Sequence, residues 1–279
     1  MSHRHMAALA VALTGVVSFS TVSVPAAFAA DSGAVSHSSV VAPAAQPNPS
    51  EDFEIDKNGV LTAYTGTARE VTIPDGVTEI STEAFDNVQL TKLWIPASVR
   101  VIGDDAFVSQ ELKELTFQDD KEHPSQLTTI GDRAFQSTTL KTLTLPGSVV
   151  TIGYNAFAGM SGLTSIRLGA NVGADQLVAA FVGTSALTSI EVDAANTNYA
   201  SVDGVLYSKD HSHLIAYPQA KNRGGAYAVV GGVTQIDDYA FAGATIATVT
   251  LPSSLRTIGE YAFESSRLTS VTLPDSLET

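Results

Sequence analysis

The sequence predicts an α/β solenoid that is mostly β, a right-handed array of short parallel strands. Three observations predict it: a phrase of about 22 residues recurs, each copy holds a period-2 apolar run, and each full copy ends in an Ala-Phe pair. The clearest copies read LTKLWIPASVRVIGDDAF, LKTLTLPGSVVTIGYNAF and IATVTLPSSLRTIGEYAF, at residues 90–107, 140–157 and 246–263. The steps between successive Ala-Phe pairs are 22, 28, 22, 24, 60 and 22 residues. A right hand is the usual chirality of parallel crossovers.

Within one repeat, the spacing of the apolar residues predicts a strand followed by a return, the segment that leads the chain back to the start of the next strand. Leu143 and Leu145 lie two residues apart, which is the period of a strand with one face inward. Pro146 has no N–H, so strand pairing should stop there. From Val149 to Phe157 the apolar spacings are 3, 4 and 1, which predicts a bend and about one helical or 3-10 turn. We expect each Phe to point inward and to stack on the Phe of the next coil.

This pattern, L-x-x-L-x-L-P-x-S-V-x-x-I-G-x-x-A-F, resembles the BspA-like (bacterial surface antigen) class of leucine-rich repeats over residues 53–279. The copy LTSIRLGANVGADQLVAAF departs most, because it lacks both the Pro and the Ile-Gly. The resemblance implies a leucine-rich-repeat array in which inserted β-hairpins also occur. It further implies a surface-exposed protein, since some BspA-like proteins mediate adhesion and bind matrix proteins.

Composition and charge narrow the function classes. The 279 residues carry a formal net charge of −14 and contain no cysteine. Without cysteine there can be no disulfide and no thiolate metal site. The acidic balance argues against nucleic acid and against anionic membrane surfaces as partners. We expect no cofactor.

The first 50 residues are predicted to lie outside the repeat domain. Residues 1–30 resemble a secretory signal peptide, with basic Arg4, an apolar run and an Ala-Phe-Ala cleavage site. A retained transmembrane anchor is the alternative, although the run is short. Residues 31–50 are rich in Ser, Ala, Val and Pro without periodicity, which predicts a disordered linker. The mature protein should then be secreted or held at the cell surface, with no membrane insertion.

Residues 51–279 form the predicted solenoid, with one hairpin as its N-terminal cap and a second hairpin inserted within its repeats. Asn-Gly at 58–59 predicts a hairpin cap over residues 51–67. The sequence Asp-Gly-Val-Leu at 203–206 echoes the cap, and a second hairpin is predicted within an insertion at 198–225. The array stops within its last repeat, so we expect a fragment or a longer natural sequence.

The search for catalytic chemistry yields one group, Asp210, His211 and His213. A His-x-His pair on a strand would put both rings on one face, and the Asp could complete a metal site or orient a base. The same residues lie in the polar turn of the predicted hairpin, where such side chains are expected without any chemistry. There is no G-x-S-x-G or H-E-x-x-H motif. We predict that the protein is not an enzyme and has no metal site.

The outward face of the strands is the predicted binding surface, because stacking places equivalent positions about 4.8 Å apart. Most outward residues are small and polar. The residues that we predict to contact a ligand are Lys92, Trp94, Glu114, Arg167 and Glu191. Trp and Arg are enriched at binding hot spots. The alternative for Trp94 is structural, with the indole flat over the stem of Lys92 and its neighbours.

These observations predict a secreted or cell-surface leucine-rich-repeat protein that binds another protein. Secretion, an extended array and the lack of a catalytic group come from the residues, whereas adhesion to host matrix or to other cells is implied by the resemblance. The partner would be an extracellular protein or a cell-surface macromolecule. The alternatives are a passive stalk that displays another domain and a surface enzyme using Asp210, His211 and His213.

Overall fold

The computed structural model describes residues 48–174, 177 and 179–278. The predicted signal peptide and most of the predicted linker lie outside these residues. Apart from a 3-10 turn at Ser50–Asp52, the described residues contain strands and turns and no helix. They form a mostly-β solenoid, in which each regular coil contributes one strand to each of two ladders.

The strands of the first ladder carry the outward face. They are β3 (Glu70–Thr72), β5 (Lys92–Ile95), β7 (Glu114–Phe117), β9 (Thr142–Thr144), β11 (Ser165–Leu168), β12 (Ser189–Val192), β16 (Ala226–Ala228), β18 (Thr248–Thr250) and β20 (Ser270–Thr272). They pair in parallel as three separate sheets, β3-β5-β7, β9-β11-β12 and β16-β18-β20. The first break follows β7, where the chain inserts a polar loop, and the second follows β12, where it inserts the second hairpin region.

The second ladder consists of two-residue strands joined to longer hairpin strands. Its short strands are β4 (Glu79–Ile80), β6 (Val101–Ile102), β8 (Thr129–Ile130), β10 (Thr151–Ile152), β17 (Gln235–Ile236) and β19 (Thr257–Ile258). The hairpin strands are β1 (Phe53–Ile55), β2 (Val60–Tyr64), β13 (Tyr199–Val202), β14 (Val205–Ser208) and β15 (His213–Ala216). The two sheets run β1-β2-β4-β6-β8-β10 and β13-β14-β15-β17-β19.

The N-terminal cap and the insertion each begin with a tight antiparallel pair. The Asn58-Gly59 turn joins β1 to β2, and the Asp203-Gly204 turn joins β13 to β14. The insertion also contains the antiparallel pair β14-β15, which is the hairpin that the sequence indicates. The additional strand β13 was not predicted. In each region the last strand pairs in parallel with the next coil, so the hairpin becomes part of the solenoid.

Stacked aromatic rings run through the core, as predicted. Successive rings from Phe85 to Phe181 have centroids 5.3–6.2 Å apart. After the insertion the column resumes with Tyr217, Phe241 and Phe263, at 5.0 and 5.1 Å. Each such pair adds about 0.5–1.5 kcal/mol beyond the burial of its area. The column therefore ties neighbouring coils together.

The returns are successive turns and not a regular helix, although some of their N–H groups, such as that of Gln136, donate to the carbonyl three residues earlier. The residue before each Ala-Phe pair has a left-handed backbone, with φ between 53° and 63°. One left-handed residue ends an α-helix. In addition, the amide of Phe107 donates to the carbonyl of Ala134 in the next coil at 2.8 Å, and Phe135 donates likewise to Ala156 at 2.9 Å. Because these N–H groups bond between coils, they cannot close a helical turn within one coil.

Candidate functional site

The outward positions of the first ladder lie in register, which fixes the neighbours of each predicted contact residue. On the first sheet, Glu70, Lys92 and Glu114 are aligned across three strands. On the second sheet, Arg167 lies opposite Thr144 on one side and Glu191 on the other. The structure therefore divides the five predicted residues between two sheets and does not bring them into one cluster.

Lys92 lies between two carboxylates on the neighbouring strands. Its Nζ is 3.6 Å from Glu70 Oε1 and 3.8 Å from Glu114 Oε2. All three side chains are at least half exposed, so each pair stabilises the fold by no more than about 1 kcal/mol. The group carries one positive and two negative charges. It presents a net negative polar surface rather than a free lysine.

Arg167 also pairs with two carboxylates. Its guanidinium lies 3.6 Å from Glu191 Oε2 and 3.2 Å from Asp193 Oδ2. The backbone N–H of Ala195, and then the side chain of Arg167, lower the pKa of Asp193 below its usual value. Asp193 is therefore ionised at neutral pH. The sequence analysis did not predict Asp193 as a contact residue, although it lies only two residues after Glu191.

Trp94 faces outward, yet its side chain is covered. The residue is 6% exposed and lies in register with Thr72 and Thr116. It lines a cavity of about 590 Å³ that is shared with Asn48, Pro49 and Gln118 among others. Of the two interpretations of this residue, packing agrees with its burial, whereas an exposed anchor does not.

The segment beside Trp94 is held by the side chain of Asn48. Its Oδ1 accepts the amide of Thr72 at 2.8 Å, and its Nδ2 donates to the carbonyl of Glu70 at 3.2 Å. These two hydrogen bonds take the place of those that another strand would form at the edge of β3. Residues 48–50, which end the predicted linker, thus lie against the first coil.

The group of Asp210, His211 and His213 is separated by its turn. Asp210 accepts hydrogen bonds from the backbone N–H and hydroxyl of Ser212 and from the hydroxyl of Ser208, and these bonds lower its pKa. His211 contacts the ring of Tyr207, with centroids 5.9 Å apart. His213 Nδ1 instead lies 3.0 Å from Asp237 Oδ1. Among the residues that the structure describes, no three His, Cys, Asp or Glu side chains converge as a metal site requires.

The pair of His213 and Asp237 lines a cavity of about 440 Å³, together with Ala174 and Leu177 among others. Among the described residues, no strand of the second ladder joins β10 to β15. Burial raises the pKa of Asp237, and the interaction with His213 opposes this shift. A histidine held by a carboxylate resembles a general base with its orienting group. The nearby hydroxyls of Ser208 and Ser212 donate to Asp210, however, and do not form a nucleophile for that base.

Asp237 was missed by sequence reasoning because it is 24 residues from His213. The available signal was its position, since it replaces the glycine that follows the second strand in most repeats.

The repeats match a known family model. The model of the BspA type leucine-rich repeat region matches in six copies, over residues 62–164, 120–202 and 229–279. These ranges cover more than half of the chain. The chain belongs to the BspA-type leucine-rich repeat family. The resemblance drawn from the repeat motif is thereby confirmed.

Two solved structures of bacterial proteins resemble this BspA-type chain. A leucine-rich repeat protein from Eubacterium ventriosum is 24% identical, with a TM-score of 0.60 over 76% of this chain and 65% of that one. The pneumococcal vaccine antigen PcpA is 26% identical, with a TM-score of 0.59 over 80% of this chain and 68% of that one. The chain thus matches about two thirds of the length of either structure.

No curated protein matches the sequence. Within the part of the chain that the structure describes, no helix is long and apolar enough to cross a membrane.

Proposed function

We propose that this BspA-type protein is a secreted or cell-surface binding protein, whose partner is an extracellular protein or a cell-surface macromolecule. The observation that carries the proposal is the outward face of the first ladder. It presents aligned hydroxyls and two ion-paired groups on parallel strands. Parallel strands fixed in register hold these side chains with little freedom, which lowers the entropy lost on binding.

The contact residues on this face are Lys92, Glu114, Arg167 and Glu191, and Trp94 serves packing. Each cation lies between two carboxylates, which favours this position of its side chain before a partner arrives. Arg is enriched among the residues that dominate binding energy. Arg167 is therefore the residue whose loss should weaken binding most. The similarity to a pneumococcal vaccine antigen supports an exposed location for the protein.

The test is saturable binding of the full chain to a panel of purified matrix proteins and to whole cells. We expect Arg167→Ala to weaken binding by about tenfold or more, equivalent to about 1.4 kcal/mol. The matched control is Arg256→Ala, which removes an arginine paired with Glu278 beside the second ladder. It should leave binding unchanged.

Equal loss in both variants, or none in either, would rule out the first-ladder face as the contact surface. Failure of the full chain to bind any partner would favour the alternative, a passive stalk that displays another domain. An activity that disappears on replacing His213 and Asp237 would instead favour the surface enzyme.

A further inference from the structure

Three tyrosines lie together on the turns that follow the second ladder, away from the first-ladder face. Tyr154 is 48% exposed and Tyr261 is 57% exposed, and Tyr239 is half-buried between other side chains. The rings of Tyr239 and Tyr261 stack, with centroids 5.2 Å apart and planes 15° from parallel. We call Tyr154, Tyr239 and Tyr261 the tyrosine patch.

The tyrosine patch draws its residues from three coils. Tyr154 belongs to the coil of β10, whereas Tyr239 and Tyr261 belong to the coils of β17 and β19. Partial burial, and then the neighbouring groups of Tyr154 and Tyr261, raise the pKa of Tyr239. The patch thus consists of the stacked pair of Tyr239 and Tyr261, with the hydroxyl of Tyr154 close enough to act on Tyr239.

Packing does not account for these rings. None of the three belongs to the hydrophobic clusters that form the core. Tyr239 and Tyr261 occupy the left-handed position before the Ala-Phe pair, with φ of 58° and 55°. Other repeats place polar or small residues there, Glu83 and Asn155 for example. The fold therefore does not require an aromatic ring at this position. A contact with another molecule explains the two tyrosines better than packing does.

Several carboxylates lie near the tyrosine patch. Asp132 accepts the amide of Tyr154 at 2.8 Å, and Asp238 accepts the amide of Glu260 at 2.7 Å, so both are fixed beside the tyrosines. The charge of Glu264 acts on the phenol of Tyr239. The whole chain has 29 acidic and 15 basic residues, which adds a long-range negative field.

We propose that the tyrosine patch binds an arginine-rich segment of another protein. Guanidinium groups stack on the faces of tyrosine rings, and each such contact at an exposed site contributes about 0.5–1 kcal/mol. The nearby carboxylates can accept hydrogen bonds from the same groups. Charge complementarity therefore selects a basic partner. The surface differs from the one in the proposed function, so either can fail without the other.

The test measures binding of a short peptide of alternating arginine and glycine to the full chain at physiological salt. The comparison peptide has glutamine in place of arginine. We expect the arginine peptide to bind and the glutamine peptide not to bind. The double variant Tyr154→Ala with Tyr261→Ala should weaken the arginine peptide by about tenfold, from two lost cation–π contacts. Replacing the same two residues with Phe keeps the rings and should keep most of the affinity.

The carboxylates are tested separately, since these exposed residues can be changed without disturbing the core. Glu260→Gln with Glu264→Gln should weaken binding and make it less sensitive to salt. The matched control is Glu51→Gln with Glu54→Gln, which removes two exposed acids at the N-terminal hairpin and should have no effect. Three results would each overturn the proposal: equal binding of the glutamine peptide, unchanged affinity in both patch variants, or equal loss in the control.

Discussion

Two buried threonines occupy the same repeat position with different hydrogen bonding. Thr138 and Thr184 each lie three residues after the stacked Phe, and both are buried. The hydroxyl of Thr184 donates to the carbonyl of Phe181 at 2.6 Å. The hydroxyl of Thr138 has no hydrogen-bond partner among the described residues. A buried hydroxyl without a partner costs about 1–3 kcal/mol.

Substituting valine at these two positions should therefore have opposite effects. Thr138→Val removes an unsatisfied group and keeps the shape, so we expect the free energy of unfolding to rise by about 1 kcal/mol. Thr184→Val breaks a hydrogen bond and should lower it by about 1 kcal/mol. Urea unfolding of the two variants and the wild type measures both changes. A loss of similar size at both positions would mean that Thr138 is satisfied in solution.

At the same scale, Trp94 marks the limit of what the sequence could predict about the site. Strand periodicity predicts an outward side chain, and Trp94 lies outside the core cluster that contains its neighbours Leu93 and Ile95. Asn48 and Pro49, which line the same cavity, precede it by more than 40 residues and belong to a segment without periodicity. No local pattern indicates that such a segment folds back over a strand.

At the scale of the element, one glycine is required by the close approach of the preceding coil. Gly153 follows β10, and a Cβ there would lie 2.4 Å from the amide nitrogen of Asp132 and 2.5 Å from the carbonyl carbon of Gly131. Both atoms belong to the backbone and cannot move aside. The residue does not have a left-handed backbone, so the requirement is space alone. By contrast, a Cβ at Gly147, in the turn after β9, would have no other atom within 4 Å.

We therefore expect Gly153→Ala to lower the free energy of unfolding by about 2–3 kcal/mol, the usual cost of forcing a methyl group into a packed interior. Gly147→Ala should be neutral or slightly stabilising, because alanine restricts the unfolded chain. Thermal and urea unfolding of the pair would measure this difference. Equal stabilities would show that the coils can separate without cost at Gly153.

The strands of the array were easier to predict than its returns. A period of two residues follows directly from strand geometry, and the outward positions named from sequence are the ones found in register. In the returns, apolar residues at spacings of 3 and 4 fit either a helical turn or an irregular one. The choice depends on hydrogen bonds to the neighbouring coil, which the sequence of one repeat does not contain.

At the scale of the whole molecule, the described residues form two hydrophobic clusters with the inserted strands between them. One extends from Phe53 to Ala216 and the other from Val205 to Ala262. Alternation along β14 puts Leu206 in the first cluster and Tyr207 in the second. In a repeat protein, where each coil contacts mainly its neighbours, such a division separates the cooperative units.

Core truncations on the two sides should consequently act on different regions. Phe107→Ala and Phe241→Ala each remove a fully buried ring, at a cost of about 3–5 kcal/mol. In amide hydrogen exchange, we expect the first to speed exchange mainly in coils before residue 182 and the second mainly in coils after residue 213. A uniform rise over both regions in each variant would show that the solenoid unfolds as one unit.

The sequence by itself determined the solenoid, its repeat length, the inward Phe column and the family. These properties depend on residues within one repeat, and repetition makes their signal strong. The right-handed turn stays a prediction from chain chirality. Only the tertiary structure decided which outward residues are accessible, which carboxylate holds His213, and which tyrosines of different coils lie close together. Each of these depends on contacts between residues far apart in the chain, and repeat periodicity carries no information about such contacts.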